Sequence, residues 1–264
     1  MHNSFNHTIL TLLSLFILSS CEKVIQIDLN SSDPQIVIEG AVTNAVAPYQ
    51  VKISRSVNFD QSNQYPAVSD ALVIIHSDAG ERDTLLETVP GLYVSTRVAQ
   101  GQPGTTYTLE VFADGQRFEA SSTMPAVVPF LGLSAVKFTF GGPDAYAVVP
   151  SFVDPETEQN YYQFIQFNNG RQLEQIFVLD DKNNNGIAVQ IPLLGDTEIA
   201  LGDTVTIEMR SIDAPSYQYL FALQSATGDV GNASAPANPD NNWKGTALGF
   251  FSAHTVQRKT VVVQ

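Results

Sequence analysis

The chain has 264 residues, 44% of them hydrophobic and 15% charged, with 17 Gly and 14 Pro. Such a composition buries a core and excludes the disordered and collagen-like classes. Lys and Arg number 13 against 27 Asp and Glu, a formal charge of −14; that field repels phosphate and anionic lipid, so no nucleic-acid partner and no electrostatic membrane docking is expected.

The first 20 residues hold no Lys, Arg, Asp or Glu, and residues 9–18, ILTLLSLFIL, form an apolar block. A helix of that length spans about 15 Å, half of a hydrocarbon core of about 30 Å, so the block reads as a signal-peptide region and not as a membrane span. Its lead-in, MHNSFNHT, has two His and the α-amino group but no Lys or Arg. Cys21 is the one cysteine, so no disulfide forms within the chain. A buried thiol does not suit a position just after a cleavable segment, and a nucleophile needs a base and a pocket. Leu18-Ser19-Ser20-Cys21 resembles the bacterial lipobox: leucine, two small residues and the acylated cysteine. The resemblance implies a signal peptide over 1–20, cleavage before Cys21 and lipid on its sulfur. Each buried methylene contributes about 0.8 kcal/mol, so two or more chains anchor stably where one does not.

A tether over 21–33 leads into segments that read almost entirely as strands. YQVKIS alternates Tyr49, Val51 and Ile53 with Gln50, Lys52 and Ser54, the period of a half-buried strand. ALVIIHS (71–77) is denser and reads as a central strand, and PGLYVST follows a turn. TTYTLEVFADGQRFEAS reads as a hairpin with Tyr107, Leu109 and Val111 on one face and Asp114-Gly115 in a type I′ turn. Short strands with turn signals every 8 to 12 residues indicate a β-sandwich, here over 34–125. MPAVVP (124–129) is an extended connector between two prolines. A second β-rich module is expected over 126–264, from SAVKFTF, AYAVVPSF, YYQFIQF, EQIFVLD, IAVQIPL and DTVTIEMRS. One helix is expected, capped by Asp213 or Ser216, with Pro215 in its first turn and Tyr217, Leu220, Phe221 and Gln224 on one face. Residues 228–245 read as a polar loop, and TALGFFSAHTV and KTVVV as the last pair of strands of the second sheet. The fold class expected is all-β.

CEKVIQIDL, QIVIEGAVTN, YQVKISRS, PAVSDALV, PGLY, GTTYTLEV, LGDTVTIEMRSID, YQYLFAL and NNWKGTALGFFSAHTV together resemble the Bacteroidetes lipoprotein family known as domain of unknown function 4249. The ALGFF ending with its Asn-rich lead-in is the most characteristic part. The resemblance implies an outer-membrane lipoprotein, often encoded beside a TonB-dependent receptor, with an immunoglobulin-like first sandwich. The family has no assigned catalytic residues, so only the lipid-bearing Cys21 carries over.

DDKNNNG places Asp181, Asn183 and Asn185 before Gly186, the first half of a calcium loop, but Pro192 stands where a bidentate glutamate belongs. A polar hairpin turn is the favoured reading. His76 and His254 lack a neighbour at metal-ligand spacing and no Gly-x-Ser-x-Gly elbow occurs, so both are expected as sheet-surface residues. Asp154, Glu156 and Glu158 read as a solvated loop and not as an acid/base pair. Trp243, Tyr65, Tyr161 and Tyr162 could stack on a sugar or peptide, against a competing reading of Trp243 as a plug at the end of the sandwich. Asp83-Thr84-Leu85 and Asp203-Thr204-Val205 resemble a bacterial O-glycosylation motif. The expectation is a non-enzymatic lipoprotein held in the outer membrane by Cys21, an accessory or binding subunit of an uptake system with a TonB-dependent receptor. A stand-alone carbohydrate- or peptide-binding module is the alternative, and a surface hydrolase is disfavoured by the sparse histidines.

Overall fold

In β16 (Phe251–Val262) the side chains alternate between the two faces of a sheet, and that one strand serves both hydrophobic cores. The computed structural model describes residues 33–58, 64–139, 145–195, 197–226 and 238–264. The expected signal peptide, Cys21 and the expected tether up to residue 32 lie outside them.

The first core is built by β1 (Ile36–Thr43), β2 (Ala47–Arg55), β3 (Leu72–Ser77), β4 (Arg82–Val89), β5 (Leu92–Ala99), β6 (Thr106–Ala113) and β7 (Gln116–Thr123). They neighbour one another antiparallel in the order β1-β2-β5-β4-β3-β6-β7. Alternation decides which side chains enter: Tyr49, Val51 and Ile53 from one layer meet Val73, Ile75, Leu109, Val111 and Phe118 from the other. The β3 strand pairs on both edges, as its continuous apolar run predicts. Asp114 and Gly115 have φ of 51° and 72°, the two positive values a type I′ turn demands.

The connector after Met124 sinks Val128 and Phe130 into a second core. Here β8 (Gly132–Phe138), β9 (Ala145–Val153) and β13 (Ala188–Gln190) form a small sheet over β10 (Tyr161–Asn168), β14 (Thr204–Ile212) and the second half of β16, with β11 (Arg171–Gln172) and β12 (Phe177–Asp180) along the outer edge of β10. Phe152 and Tyr162 meet at its centre with ring centroids 4.6 Å apart. The helix, α1 (Ala214–Ala226), starts where expected: the Ser216 N–H donates to Asp213 Oδ1 at 3.0 Å, and Pro215 sits in the first turn. It packs on β10 and β12, with Tyr217 4.9 Å from Tyr161, while Leu220 is buried and Phe221 stays half exposed.

The chain end differs from expectation. TALGFFSAHTV and KTVVV are not a pair of strands in the second sheet. The stretch between them, Gln257-Arg258-Lys259, keeps the period of two and extends without turning. β16 therefore runs parallel to β1 from Phe251 to His254 and antiparallel to β14 from Thr255 to Val262. Its residues Phe251 and Ala253, with Trp243 and Ala247 before them, lie in the first core, which so draws on chain beyond residue 126. Residues 34–264 accordingly form a single compact unit.

Side chains complete the backbone where β16 changes partner. Asn242 donates to Phe251 O at 2.7 Å and accepts its N–H at 3.2 Å. Ser122 Oγ accepts the Ala253 N–H at 2.8 Å and donates to Asp213 at 2.6 Å, and Asn44 Oδ1 accepts the Val256 N–H at 2.7 Å. Buried peptide groups need partners, and these three side chains supply them where no strand does.

Candidate functional site

Odd-numbered residues of β16 enter the cores, so Ser252 and His254 point to the opposite face of the sheet. There the register lines up Gln163 with Arg210, Ser252 with Ala41, Ala41 with Gln50 and Glu39 with Lys52. These residues line a groove of about 400 Å³ at the join between the two cores. A methyl group at Ala41, between longer neighbours, leaves depth in the middle. Phe250, its ring tilted against Tyr219 of α1 with centroids 4.7 Å apart, borders one side.

His254 forms the floor and is 3% exposed. Its Nδ1 is 3.0 Å from Ser252 Oγ, and its Nε2 has no hydrogen-bond partner among the described residues. Burial, and then the positive charge of Arg210, hold its pKa well below the ordinary imidazole value, so the ring is neutral at pH 7. Arg210 is gripped by Glu208 at 2.5 Å, and Glu208, 2% exposed, also holds Arg258 at 2.5 Å. The buried carboxylate near this face is therefore committed to two guanidiniums and does not orient the imidazole as a triad acid would. Ser252 is itself buried. The arrangement suits polar contact with a docked group through Gln163, Arg210, Lys52 and Glu39, above a buried, neutral imidazole.

A second cavity, about 590 Å³, opens where β4 and β5 diverge. The two strands pair from their shared turn back to Leu86 and Val94 and separate beyond that point, each following its own layer. A bulge opposite Tyr49 lets Ser95 Oγ accept the Tyr49 N–H at 2.8 Å and donate to Arg97 O at 2.8 Å, and Arg97 reaches across to Arg82 O at 2.7 Å. The Tyr49 hydroxyl faces this gap without a partner among the described residues; burial, with Tyr107, Glu81 and Asp83 nearby, pushes its pKa up to about 12.

The residues singled out in the sequence are not gathered here. Trp243 is 7% exposed and belongs to the first core, Tyr162 is fully buried in the second, Tyr161 lies under Tyr217, and Tyr65 is 54% exposed. No shared stacking platform forms from them, because the β15 pair (Trp243–Lys244) hydrogen-bonds to β7 and turns the indole inward. Asp181 is buried, while Asn183 and Asn185 are exposed. The 154–159 loop is likewise split: Asp154 is 1% exposed, and Glu156 and Glu158 face solvent. His254 is buried, contrary to its reading as a surface residue, since longer side chains such as Arg210, Gln163 and Phe250 surround it on this face of the sheet; His76 is half-buried at the β4–β5 cavity. Thr84 and Thr204 are exposed. Cys21 and the lipobox-like Leu18 to Ser20 lie outside the described residues. Among the described residues no group of three or more His, Cys, Asp or Glu is placed to hold a metal, and no helix is long and apolar enough to cross a membrane. The alternation of Phe251, Ser252, Ala253 and His254 carried the one signal for the groove: it divides the faces but does not say what covers them.

No curated protein matches the chain. Among solved structures, it is similar to a two-domain fibronectin type III segment of chicken tenascin at 10% identity and a TM-score of 0.23, over 68% of this chain and 91% of that one. A family model matches residues 22–260. The all-β architecture with its sandwich cores is thus that of a chain belonging to the family described as Domain of unknown function (DUF4249).

Proposed function

We propose that this chain is a lipid-anchored, non-enzymatic lipoprotein of the outer membrane that binds a partner through the groove above His254, the partner being a TonB-dependent receptor of an envelope uptake system. The observation that carries the binding reading is the groove of about 400 Å³ at the join, where Glu39, Lys52, Gln163 and Arg210 converge above the buried His254. A concave site with a few convergent polar groups is the usual form of a binding site. Anchoring is supported by the lipobox-like Leu18-Ser19-Ser20-Cys21 and by the family match, which begins at the residue after Cys21.

In native membranes the tagged chain should co-purify with a TonB-dependent receptor, and Lys52→Glu at the groove rim should reduce the amount recovered. Cys21→Ala should lose palmitate labelling and leave the membrane fraction. Recovery of no such receptor, or a membrane-bound Cys21→Ala chain, would overturn the proposal. A stand-alone glycan- or peptide-binding role is the second reading, favoured by the cavity at Tyr49. On that reading Tyr49→Phe weakens retention of the glycan or peptide and leaves receptor recovery unchanged.

A further inference from the structure

The two acidic stretches 154–159 and 180–186, apart in sequence, meet at one end of the second core. Pairing of Tyr161 with Asp180 sets Asn160 against Asp181, whose Oδ2 accepts the Asn160 N–H at 2.7 Å. Pairing of Val153 with Ala188 sets Asp154 against Ile187, whose carbonyl accepts the Asp154 N–H at 3.0 Å. The turn 181–187 thus binds both segments. Tyr162, with its ring in the core, donates its hydroxyl to Asp154 Oδ1.

Two carboxylates are consequently drawn out of water side by side. Asp154 is 1% exposed and Asp181 4%. Among the described residues neither makes an ion pair. Asp154 Oδ2 and the carbonyl Oδ1 of Asn160, a residue 4% exposed, are both buried without a hydrogen-bond partner. Asn160 is itself tied to the Asp181 carboxylate through its backbone N–H. Burial, and secondarily the charge of Asp181, raise the pKa of Asp154, while the Tyr162 hydroxyl and the Gly186 amide favour its ionised form. A buried charge persists when it is paired or coordinates a metal. Every unsatisfied atom here is an oxygen acceptor, the donor set of a hard cation, and carboxylate, amide carbonyl, backbone carbonyl and water make up the six to eight ligands Ca²⁺ takes.

We propose that Asp154, Asp181 and Asn160 hold one Ca²⁺ at the turn 181–187. The site differs from the linear calcium loop that DDKNNNG suggests. Its second carboxylate comes from Asp154 at the end of β9, and the exposed Asn183 and Asn185 are not ligands. Fewer than three acidic side chains suffice because neutral oxygens complete the shell. Bound there, Ca²⁺ clamps β9, β10 and β12 together, because its ligands come from the ends of paired strands.

The test uses the purified full-length chain with Tb³⁺ and Ca²⁺ as probes. Tb³⁺ bound beside Tyr162 and Tyr161 should show tyrosine-sensitised luminescence that Ca²⁺ displaces. Ca²⁺ at about 100 times its Kd should raise Tm by roughly 5–10 °C over the chelator-treated chain. Asp154→Asn and Asp181→Asn, near-isosteric and neutral, should stay folded in chelator and lose the luminescence at least tenfold. Asn185→Ala should keep it. A folded wild-type chain with neither luminescence nor a Ca²⁺-dependent Tm would overturn the proposal in favour of a shared proton. Asp154→Asn binding like wild type, or Asn185→Ala abolishing binding, would overturn the site as drawn.

Discussion

The first four residues of β16 and its last eight are one strand in two different settings. From Phe251 to His254 it lies parallel to β1 and its other edge is finished by side chains, Asn242 and Ser122; from Thr255 onward it is antiparallel to β14, Asn44 accepts the Val256 N–H, and the strand's own Gln257 reaches out to Val128 O and Phe130 N. Neither half has a strand on both edges along its full length. The side chains that stand in for a missing strand come from chain segments far apart in sequence, and they meet at the point of exchange. The groove lies there for the same reason: where neighbours change, the sheet's outer face dips between Arg210 and Ala41 with His254 below. Site and join share one origin.

The sharpest way to break the comparison is to empty the first half of β16. Phe251 is fully buried in the first core, so Phe251→Ala should cost about 3–5 kcal/mol, and if the halves are one strand the second core should melt with the first. Denaturant unfolding followed by probes in each half checks this, and loss confined to the first half would separate them. Trp243→Ala belongs to the same class, as a loss of packing. Next in size is Asn242→Ala, which strips a donor and an acceptor from the buried Phe251 peptide and should cost about 1–3 kcal/mol. Urea midpoints would measure it, and a change within error would mean that water replaces the amide.

The polar face adds a pH dependence. His254 has a depressed pKa in the folded chain, so the unfolded chain binds the extra proton, and stability should fall as pH drops below about 6.5. The slope of that component approaches about 1.4 kcal/mol per pH unit, and His254→Gln should flatten it. An unchanged pH profile in the variant would contradict a neutral buried ring. Smallest of all, Tyr65→Ala on the exposed surface should shift stability by less than about 0.5 kcal/mol.

Local chemistry was legible in the sequence. Asp114-Gly115 specified its turn, Asp213 and Pro215 the helix start, and Tyr49, Val51 and Ile53 a buried face, because each depends on neighbours a few residues away. The chain end was not. Alternation in Phe251–Val262 says which side chains share a face, but strand choice is a long-range contact, and the parallel partner β1 lies near the opposite end of the sequence. The Asn-rich lead-in looked like loop because its composition is polar. In the fold, Asn241 holds the Trp243 N–H and the Ala247 carbonyl, and Asn242 imitates a strand. The most family-like stretch thus has a structural duty. Burial of Asp154 and His254 was hidden for a related reason, since a polar residue is read as exposed until the elements that cover it are placed.

That β16 joins both cores into one cooperative unit is tested most directly by differential scanning calorimetry of the purified chain. A single transition, with calorimetric and van't Hoff enthalpies equal and shifted as a whole by Phe251→Ala, is the expected result. Two resolved transitions, of which that substitution moves one, would contradict it.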